Sequence, residues 1–264
     1  MDTNRPLAVI TGASSGIGLE LARVCAGHGY DLLVTAEDGG LALAAEELRE
    51  QGTEVTAVRA DLALYDGVET LCRAVCDLGR PVSALALNAG VGSGGAFLDT
   101  DLSDDARIID LNVTATVHLA KRLLPGMVAR GTGRVLITSS IASTMPGPYQ
   151  AVYNASKSFL QSFSQALSDE LKDSGVTVTS LMPGATATDF FRRAHMLDTR
   201  VGRAKKDNPA LVAEQGFQAM TEGRQKIVAG SVKTKLQGAV ANRVLPDRVK
   251  ALMHHRMAEP GGGR

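Results

Sequence analysis

Residues 7–18, Leu-Ala-Val-Ile-Thr-Gly-Ala-Ser-Ser-Gly-Ile-Gly, decide the fold. Leu7 to Ile10 predict a buried strand, and the Gly-x-x-x-Gly-x-Gly pattern from Gly12 to Gly18 follows at once, opening a helix that runs toward His28. Such glycines let the chain turn tightly and approach a pyrophosphate, which then lies at the helix N-terminus. A tight turn without a ligand is the alternative, but the strand and helix context favours dinucleotide binding. Since no lysine follows Gly18, a P-loop is excluded.

Apolar runs alternate with longer helical patterns for about 230 residues, which is typical of βαβ units. Because the runs are nearly continuous, helices are expected on both faces of a parallel sheet. We predict one doubly wound, Rossmann-like α/β domain with a mostly parallel sheet over residues 1–230, and a short helical extension over 231–264. The predicted strands are Leu7–Ile10, Asp31–Thr35, Glu54–Arg59, Val82–Leu87, Arg134–Thr138 and Val176–Leu181. The predicted helices are Leu41–Glu50, Asp66–Leu78, Ser103–Arg130 and Ala151–Ser174.

Charge and cysteine content narrow the class of protein. The 28 Lys and Arg residues balance 28 Asp and Glu residues, so neither nucleic acid nor a membrane is an expected partner. No long apolar run or secretory segment occurs and cysteines are too few for a disulfide framework, which predicts a cytoplasmic protein. Cys72 and Cys76 fit a buried apolar helix face better than a metal site. The five histidines form no ligand set, so we expect no metal and interpret them as structural or surface residues.

The C-terminal stretch, residues 224–264, is basic, with nine Lys or Arg and two acidic residues. We interpret it as a solvated or subunit-packing helical extension. A docking surface for an acidic partner or a phosphorylated substrate is the alternative.

Several polar motifs follow the predicted strands in order. They are Asn88-Ala89-Gly90 after the fourth strand, Asn112 in the next helix, Ser139-Ser140 at the end of the fifth strand, Tyr153-Asn-Ala-Ser-Lys157 at the start of the next helix, and Pro183-Gly184 after the sixth strand. With the glycine spacing, this set resembles the short-chain dehydrogenase/reductase family over about residues 5–190. Each motif is weak alone, so the order and spacing carry the resemblance.

The chemistry of the set can be worked out from the residues. Tyr153 and Lys157 are spaced i,i+4, so they share one helix face. We expect the lysine ammonium to lower the pKa of the phenol toward the working pH, which makes Tyr153 an acid/base for a carbonyl or alcohol oxygen. Ser140, 13 residues before Tyr153, is expected to hydrogen-bond the same oxygen, and Ser139 to be a strand-end partner.

The resemblance implies further roles. Lys157 would also hold the nicotinamide ribose, and Asn112 would fix a water in a proton relay to Lys157, although a mid-helix asparagine is otherwise a capping or packing residue. The residues expected to bind the cofactor are Gly12, Ser14, Ser15, Gly16, Ile17, Gly18, Glu37, Asp61, Leu62, Asn88, Ala89, Gly90, Tyr153, Lys157, Pro183, Gly184, Thr186 and Thr188.

The choice of cofactor depends on the end of the second strand, Ala36-Glu37. An acidic residue there bonds the adenosine ribose 2′-OH, while a basic residue accepts a 2′-phosphate. No basic residue stands at Ser15, Ala36 or Glu37, but Ala36 occupies the position where NAD-preferring relatives usually carry Asp. Glu37 substitutes for it or is a solvent-facing charge. We expect NAD, with NADP possible.

The expected activity is an NAD(P)-dependent alcohol dehydrogenase or carbonyl reductase with an apolar substrate. A reductase of carrier- or CoA-bound 3-oxoacyl chains and a non-catalytic dinucleotide sensor are the alternatives. The resemblance also implies a homo-tetramer or homo-dimer, built through the helices that hold Asn112 and Tyr153. The loops expected around the substrate are Gly92 to Phe97, Ile141 to Tyr149 and Ala185 to Leu197. Thr188 to Lys206 is expected to be a mobile lid, or else a fixed, packed segment.

Overall fold

A computed structural model describes residues 5–243 and 245–261. Residues 1–4, 244 and 262–264, some of which belong to the predicted C-terminal extension, lie outside the described residues. In the described ranges, seven strands form one sheet in the order β3-β2-β1-β4-β5-β6-β7, and every pairing is parallel. The strands are Leu7–Thr11 (β1), Asp31–Ala36 (β2), Val55–Arg59 (β3), Val82–Leu87 (β4), Gly133–Thr138 (β5), Val176–Pro183 (β6) and Lys226–Ala229 (β7).

Helices connect the strands and cover both faces of the sheet. The helices are Gly16–Gly27 (α1), Gly40–Glu50 (α2), Tyr65–Asp77 (α3), Leu102–Ile108 (α4), Ala115–Arg130 (α5), Ala151–Glu170 (α6), Phe190–Arg193 (α7), Arg200–Arg203 (α8), Pro209–Thr221 (α9), Val232–Arg243 (α10) and Asp247–Ala258 (α11). A π-helical turn, Ile109–Thr114, joins α4 to α5, and a 3-10 turn, Ile141–Thr144, follows β5.

Two apolar clusters explain why the strands are buried. Side chains of α1, α2 and α9 pack on one face of the sheet, and side chains of α3, α5 and α6 pack on the other. This confirms the doubly wound α/β prediction. The chain order reverses between β1 and β4, and in such sheets the ligand cleft opens at that point, beyond the carboxyl ends of the strands.

The six predicted strands are confirmed within two residues at their ends, but β7 was not predicted. It is a four-residue edge strand with an exposed lysine at its start, so it lacks the continuous apolar run of the inner strands. The single helix predicted over Ser103–Arg130 contains the π-helical turn, and the helix predicted to Ser174 ends at Glu170.

The C-terminal helices return to the body of the protein. Helix α11 packs against α8, and Ala258 is buried in a third apolar cluster with Phe191, Ala194 and Met196. This helix is therefore anchored on one side. Within the described residues, none of the helices is both long enough and apolar enough to span a membrane.

Candidate active site

A cavity of about 530 Å³ opens beyond the carboxyl ends of the central strands. All the residues that the sequence predicts to be catalytic or cofactor-binding line it, except Gly18 and Asn112. The fold therefore brings together motifs that are spread over more than half of the chain.

The glycine-rich loop lines this cavity. Gly12 has φ of +70°, and a side chain on Gly18 would place its Cβ 2.1 Å from the Gly12 carbonyl oxygen, so the turn requires glycine at both positions. Helix α1 begins here with Ser15 as its N-cap, without a side-chain cap bond and without an acidic residue in its first turn. Its N-terminus is therefore free to bind an anion such as a pyrophosphate.

The loop after β4 is tied to its neighbours by hydrogen bonds. The N–H groups of Asn88 and Ala89 each donate to Thr11 Oγ1 at 2.9 Å, and Thr138 Oγ1 donates to Asn88 Oδ1 at 3.0 Å. A Cβ on Gly90 would lie 3.0 Å from Asn112 Oδ1, so the chain passes very close to that side chain. These bonds fix the loop between the ends of β1 and β5.

Tyr153 and Lys157 face the cavity from the first two turns of α6. Lys157 is 4% exposed, and its Nζ donates to the Thr138 carbonyl oxygen at 2.9 Å and lies 5.8 Å from the centre of the Tyr153 ring. Ser139 Oγ donates to the Lys157 carbonyl oxygen at 2.8 Å, in agreement with its expected strand-end role. Ser140 Oγ hydrogen-bonds the Tyr153 phenol and accepts the Ala142 N–H at 3.1 Å.

The protonation of this pair differs from the expectation. Burial raises the pKa of Tyr153 to about 12, and the hydrogen bond with Ser140 offsets this only in part. Burial also lowers the pKa of Lys157 to about 8. The predicted net lowering of the tyrosine pKa is thus wrong for this structure, because burial outweighs the interactions that favour the phenolate. At neutral pH the phenol is a proton donor.

Asn112 lies in the π-helical turn and is fully buried. Its Nδ2 donates to the Val91 carbonyl oxygen at 2.9 Å and to Ser156 Oγ at 3.0 Å, and its Oδ1 accepts the Val91 N–H at 2.9 Å. Both amide hydrogens are used by protein partners. The side chain therefore anchors the loop after β4 to α6, and this local geometry has no signature in the sequence.

At the opposite end of the cavity, one arginine joins two predicted cofactor residues. Arg107 Nη1 and Nη2 donate to the Asp61 carboxylate at 3.1 and 3.2 Å, and Nη2 also pairs with Glu37. Burial acts to raise the pKa of Asp61, but the bonds from Arg107 and the Ala63 N–H outweigh it and lower the pKa. Arg107 was not predicted from the sequence, because it lies in helix α4, far along the chain from Glu37.

The three predicted substrate loops converge beside Tyr153. The Gly94 N–H donates to the Ala194 carbonyl oxygen and the Gly95 N–H to the Tyr149 carbonyl oxygen, both at 2.9 Å. The Phe190 ring lies 5.1 Å from the Tyr153 ring. An aromatic wall thus stands next to the predicted acid/base.

Comparison with known proteins identifies the family. A family model described as short chain dehydrogenase matches residues 6–196. The chain belongs to the short-chain dehydrogenase family. It is 34% identical over 186 residues to a protein named 3-oxoacyl-[acyl-carrier-protein] reductase from Synechocystis sp., which covers 70% of this chain and 75% of that protein.

Two solved structures agree with this assignment. A short-chain dehydrogenase/reductase from Burkholderia phymatum, in complex with NAD, superposes with a TM-score of 0.80 at 28% identity and covers 86% of this chain and 90% of its own. A short-chain dehydrogenase from Sphingobium yanoikuyae, in complex with NADPH, gives 0.79 at 30% identity and covers 90% and 93%. The Rossmann-like fold is thus shared along most of the chain.

In this short-chain dehydrogenase, the predicted lid is packed over the cavity. Arg193 Nη2 donates to Ser15 Oγ at 3.1 Å, so the segment reaches the glycine-rich loop. Phe190 faces Tyr153 as expected, but Met196 is buried against Ala258 in the third apolar cluster, and Leu197 is exposed. The structure favours the alternative of a fixed segment for most of this stretch.

Helix α11, which lies beyond the family match, supplies a wall that the sequence did not predict. Met253, His254 and Met257 line the cavity from this helix. His254, which the sequence suggested to be a structural or surface residue, is half-buried and lines the cavity. No local pattern shows this, because docking of α11 depends on contacts with residues about sixty positions earlier.

Among the described residues, no group of three His, Cys, Asp or Glu side chains is placed to hold a metal.

Proposed function

We propose that this short-chain dehydrogenase is an NAD(P)-dependent alcohol dehydrogenase or carbonyl reductase with Tyr153 as its acid/base. One observation carries the proposal: the cavity that the uncapped N-terminus of α1 lines is also lined by Ser140, Tyr153 and Lys157. A protein that only senses a dinucleotide does not require a proton donor held beside an apolar wall.

The cavity fits a nicotinamide dinucleotide along its length. We assign the pyrophosphate to the loop Gly12–Gly18, the adenosine ribose to Glu37, adenine to Asp61 and Leu62, and the nicotinamide end to Lys157, Asn88-Ala89-Gly90 and the stretch from Pro183 to Thr188. Relatives of known structure were solved in complex with NAD or NADPH. The nicotinamide supplies or accepts the hydride. Glu37 favours NAD, while Arg107 beside it provides a positive charge that a 2′-phosphate could use, so NADP stays possible.

The roles of the residues follow from their protonation. The neutral Tyr153 phenol donates its proton to the ketone oxygen, and the Ser140 hydroxyl hydrogen-bonds the same oxygen as negative charge develops on it. The Lys157 ammonium stabilises the phenolate left behind. Asn112 supports this arrangement by holding Val91 and Ser156, and its role in fixing a water of a proton relay to Lys157 stays part of the proposal.

A second candidate is the reduction of 3-oxoacyl chains bound to a carrier or to CoA. It is favoured by Lys205, Lys233 and Lys250, which line the cavity and could meet the phosphates of such a substrate. A relative named as a 3-oxoacyl-[acyl-carrier-protein] reductase supports it. Both candidates share the chemistry at Tyr153 and differ only in the substrate they admit.

The first prediction tests the proposed function. Tyr153→Phe should lower kcat by about 10²–10⁴-fold, because it removes the proton donor, while the Kd of the reduced cofactor stays within about twofold. The assay follows nicotinamide absorbance with ketones, secondary alcohols and 3-oxoacyl thioesters, each with both cofactors.

Tyr149→Phe is the matched control, since its ring packs on His255 rather than on the Tyr153 site, and it should retain activity. A loss below about tenfold in Tyr153→Phe would contradict the acid/base role.

We also propose that the protein is a homo-dimer or homo-tetramer. Ile109 in the π-helical turn and Phe159 on α6 are large apolar residues that are 47% and 43% exposed, and these two elements pack side by side. Such an exposed apolar face on adjacent helices is typical of a subunit interface.

A further inference from the structure

Helix α11 joins the loops that surround the substrate end of the cavity. His254 Nδ1 bonds the Pro148 carbonyl oxygen at 3.1 Å, and the His255 ring lies 4.9 Å from the Tyr149 ring. Tyr149 in turn accepts the Gly95 N–H. Because Ala258 packs on Phe191 at the end of the same helix, α11 holds all the substrate loops in one arrangement.

The tautomer of His254 follows from its partner. A carbonyl oxygen only accepts, so Nδ1 carries the hydrogen, and Nε2 of the uncharged ring is left with a lone pair. Burial lowers the pKa of His254, which keeps the ring uncharged at neutral pH. Among the described residues, Nε2 has no protein hydrogen-bond partner, although the side chain lines the cavity.

The side chains that line the cavity near His254 in the sequence of α11 are mainly apolar, with Lys250 one helical turn earlier. Met253 and Met257 line the cavity on the same helix, and Met145 and Phe190 line it from the substrate loops. A single acceptor among apolar side chains contributes little to the affinity of a hydrocarbon chain. It discriminates in favour of a ligand that brings a donor to it, because a bound ligand that covers this half-buried acceptor without pairing it leaves an unsatisfied polar group.

We propose that α11 is the substrate-selecting wall of this active site, and that His254 Nε2 accepts a hydrogen bond from a hydroxyl group carried by an otherwise apolar ketone or alcohol. The inference rests on the proposed function and names its substrate class: a hydroxylated, mainly hydrocarbon molecule, with the hydroxyl remote from the carbonyl that Tyr153 protonates. His254 is thus a specificity-determining residue that takes no part in the proton transfer.

The test measures binding without turnover. Ketones are titrated by calorimetry into the protein saturated with oxidised cofactor, which has no hydride to give. The probes are two pairs that differ by one hydroxyl: benzylacetone with its para-hydroxyphenyl analogue, and hexyl methyl ketone with its terminally hydroxylated analogue. We expect the hydroxylated member of at least one pair to bind about tenfold more tightly, which is the discrimination that one good hydrogen bond provides.

Three substitutions test whether His254 causes the preference for the hydroxylated ketone. His254→Phe should abolish the preference, His254→Gln should retain part of it through its amide oxygen, and His255→Phe, at the next position but outside the cavity lining, should keep it in full. If His254→Phe does not fold, nitrogen NMR of the unaltered protein decides instead. The ring nitrogen resonance of His254 is assigned by its absence from the spectrum of His254→Gln. It should then shift when the hydroxylated ketone is added to the unaltered protein.

Equal affinity within both pairs, or an unchanged preference in His254→Phe, would overturn the inference. Its failure is distinguishable from that of the proposed function. Binding with the hydroxyl preference but no turnover of any ketone with either cofactor would contradict the proposed function alone.

Discussion

At the scale of single residues, Lys157 is buried where the charged form of its side chain is unfavourable. The side chain is almost fully buried, and burial lowers its pKa to about 8, below the value of about 10.4 of an unfolded chain. Below pH 8 the folded protein must carry this buried ammonium. Between pH 8 and about 10.4 the unfolded state still binds the proton that the folded state has released, so the free energy of unfolding rises with pH over this window.

The second prediction concerns how Lys157 makes the stability of the protein depend on pH. The free energy of unfolding of wild type minus that of Lys157→Met should rise by about 2–3 kcal/mol between pH 7 and pH 10, because the substitution removes the only group responsible for the change. Urea unfolding at both pH values measures it. Lys121→Met is the control, since that lysine is exposed, and its difference from wild type should stay flat. A flat difference for Lys157→Met would mean that the buried ammonium carries no such cost.

The proximity of the candidate catalytic residues was predictable because short motifs encode it locally. The i,i+4 spacing of Tyr153 and Lys157 places both on one face of α6 in any helix, and the glycine pattern requires a turn at Gly12. The protonation of the tyrosine was not predictable. It depends on the burial of the phenol and on its hydrogen bond with Ser140, both of which come from parts of the chain that meet only in the folded protein. Arg107 was missed for the same reason, since its partners come from other elements.

At the scale of elements, inner strands and helices were predictable and the edges were not. Inner strands such as β1 and β4 are buried on both faces, so their sequences are continuous apolar runs. The edge strand β7 lacks that constraint. Most residues of helix α11 are exposed, and Ala258 is its one fully buried residue. Its sequence therefore has no periodic apolar stripe from which the docking of the helix could be predicted.

The third prediction concerns the contact between α11 and the predicted lid. Ala258→Asp places a carboxylate against Phe191 and Met196, which is unfavourable in an apolar cluster and should release α11 from the segment below it. Amides between Phe190 and Arg203 should then exchange at least about tenfold faster in hydrogen-exchange measurements on the cofactor-free protein.

Leu252→Asp is the control on the same helix, because Leu252 is 52% exposed and should tolerate the charge. Protection of the segment that is equal in both variants would show that α11 does not hold it. If amides from Phe190 to Leu197 in wild type become much more protected only with cofactor and ketone, the segment closes as a mobile lid after all.

At the scale of the whole molecule, helix α6 contributes both to the site and to the surface that we assign to subunit contact. The cavity opens at the carboxyl ends of the strands, while α5 and α6 cover one face of the sheet and α9 covers the other. The π-helical turn connects the two functions, since it buries Asn112 toward the site and exposes Ile109 on the outer surface. Contact between subunits at this turn would therefore stiffen the support of Val91 and Ser156, which Asn112 holds.

The fourth prediction tests that surface. A stable homo-dimer needs about 800 Å² of buried surface on each subunit, with apolar residues at its centre. Phe159 lies on the long helix α6, which packs against the π-helical turn that holds Ile109. Phe159→Asp places like charges opposite each other across a two-fold contact, so light scattering should show a lower-mass species than for wild type. Leu211→Asp is the matched control, because Leu211 is also 43% exposed but lies on α9, on the other face of the sheet, and it should leave the mass unchanged. A wild-type protein that is monomeric at micromolar concentration would contradict the assignment, and an equal loss of mass in both variants would place the contact elsewhere.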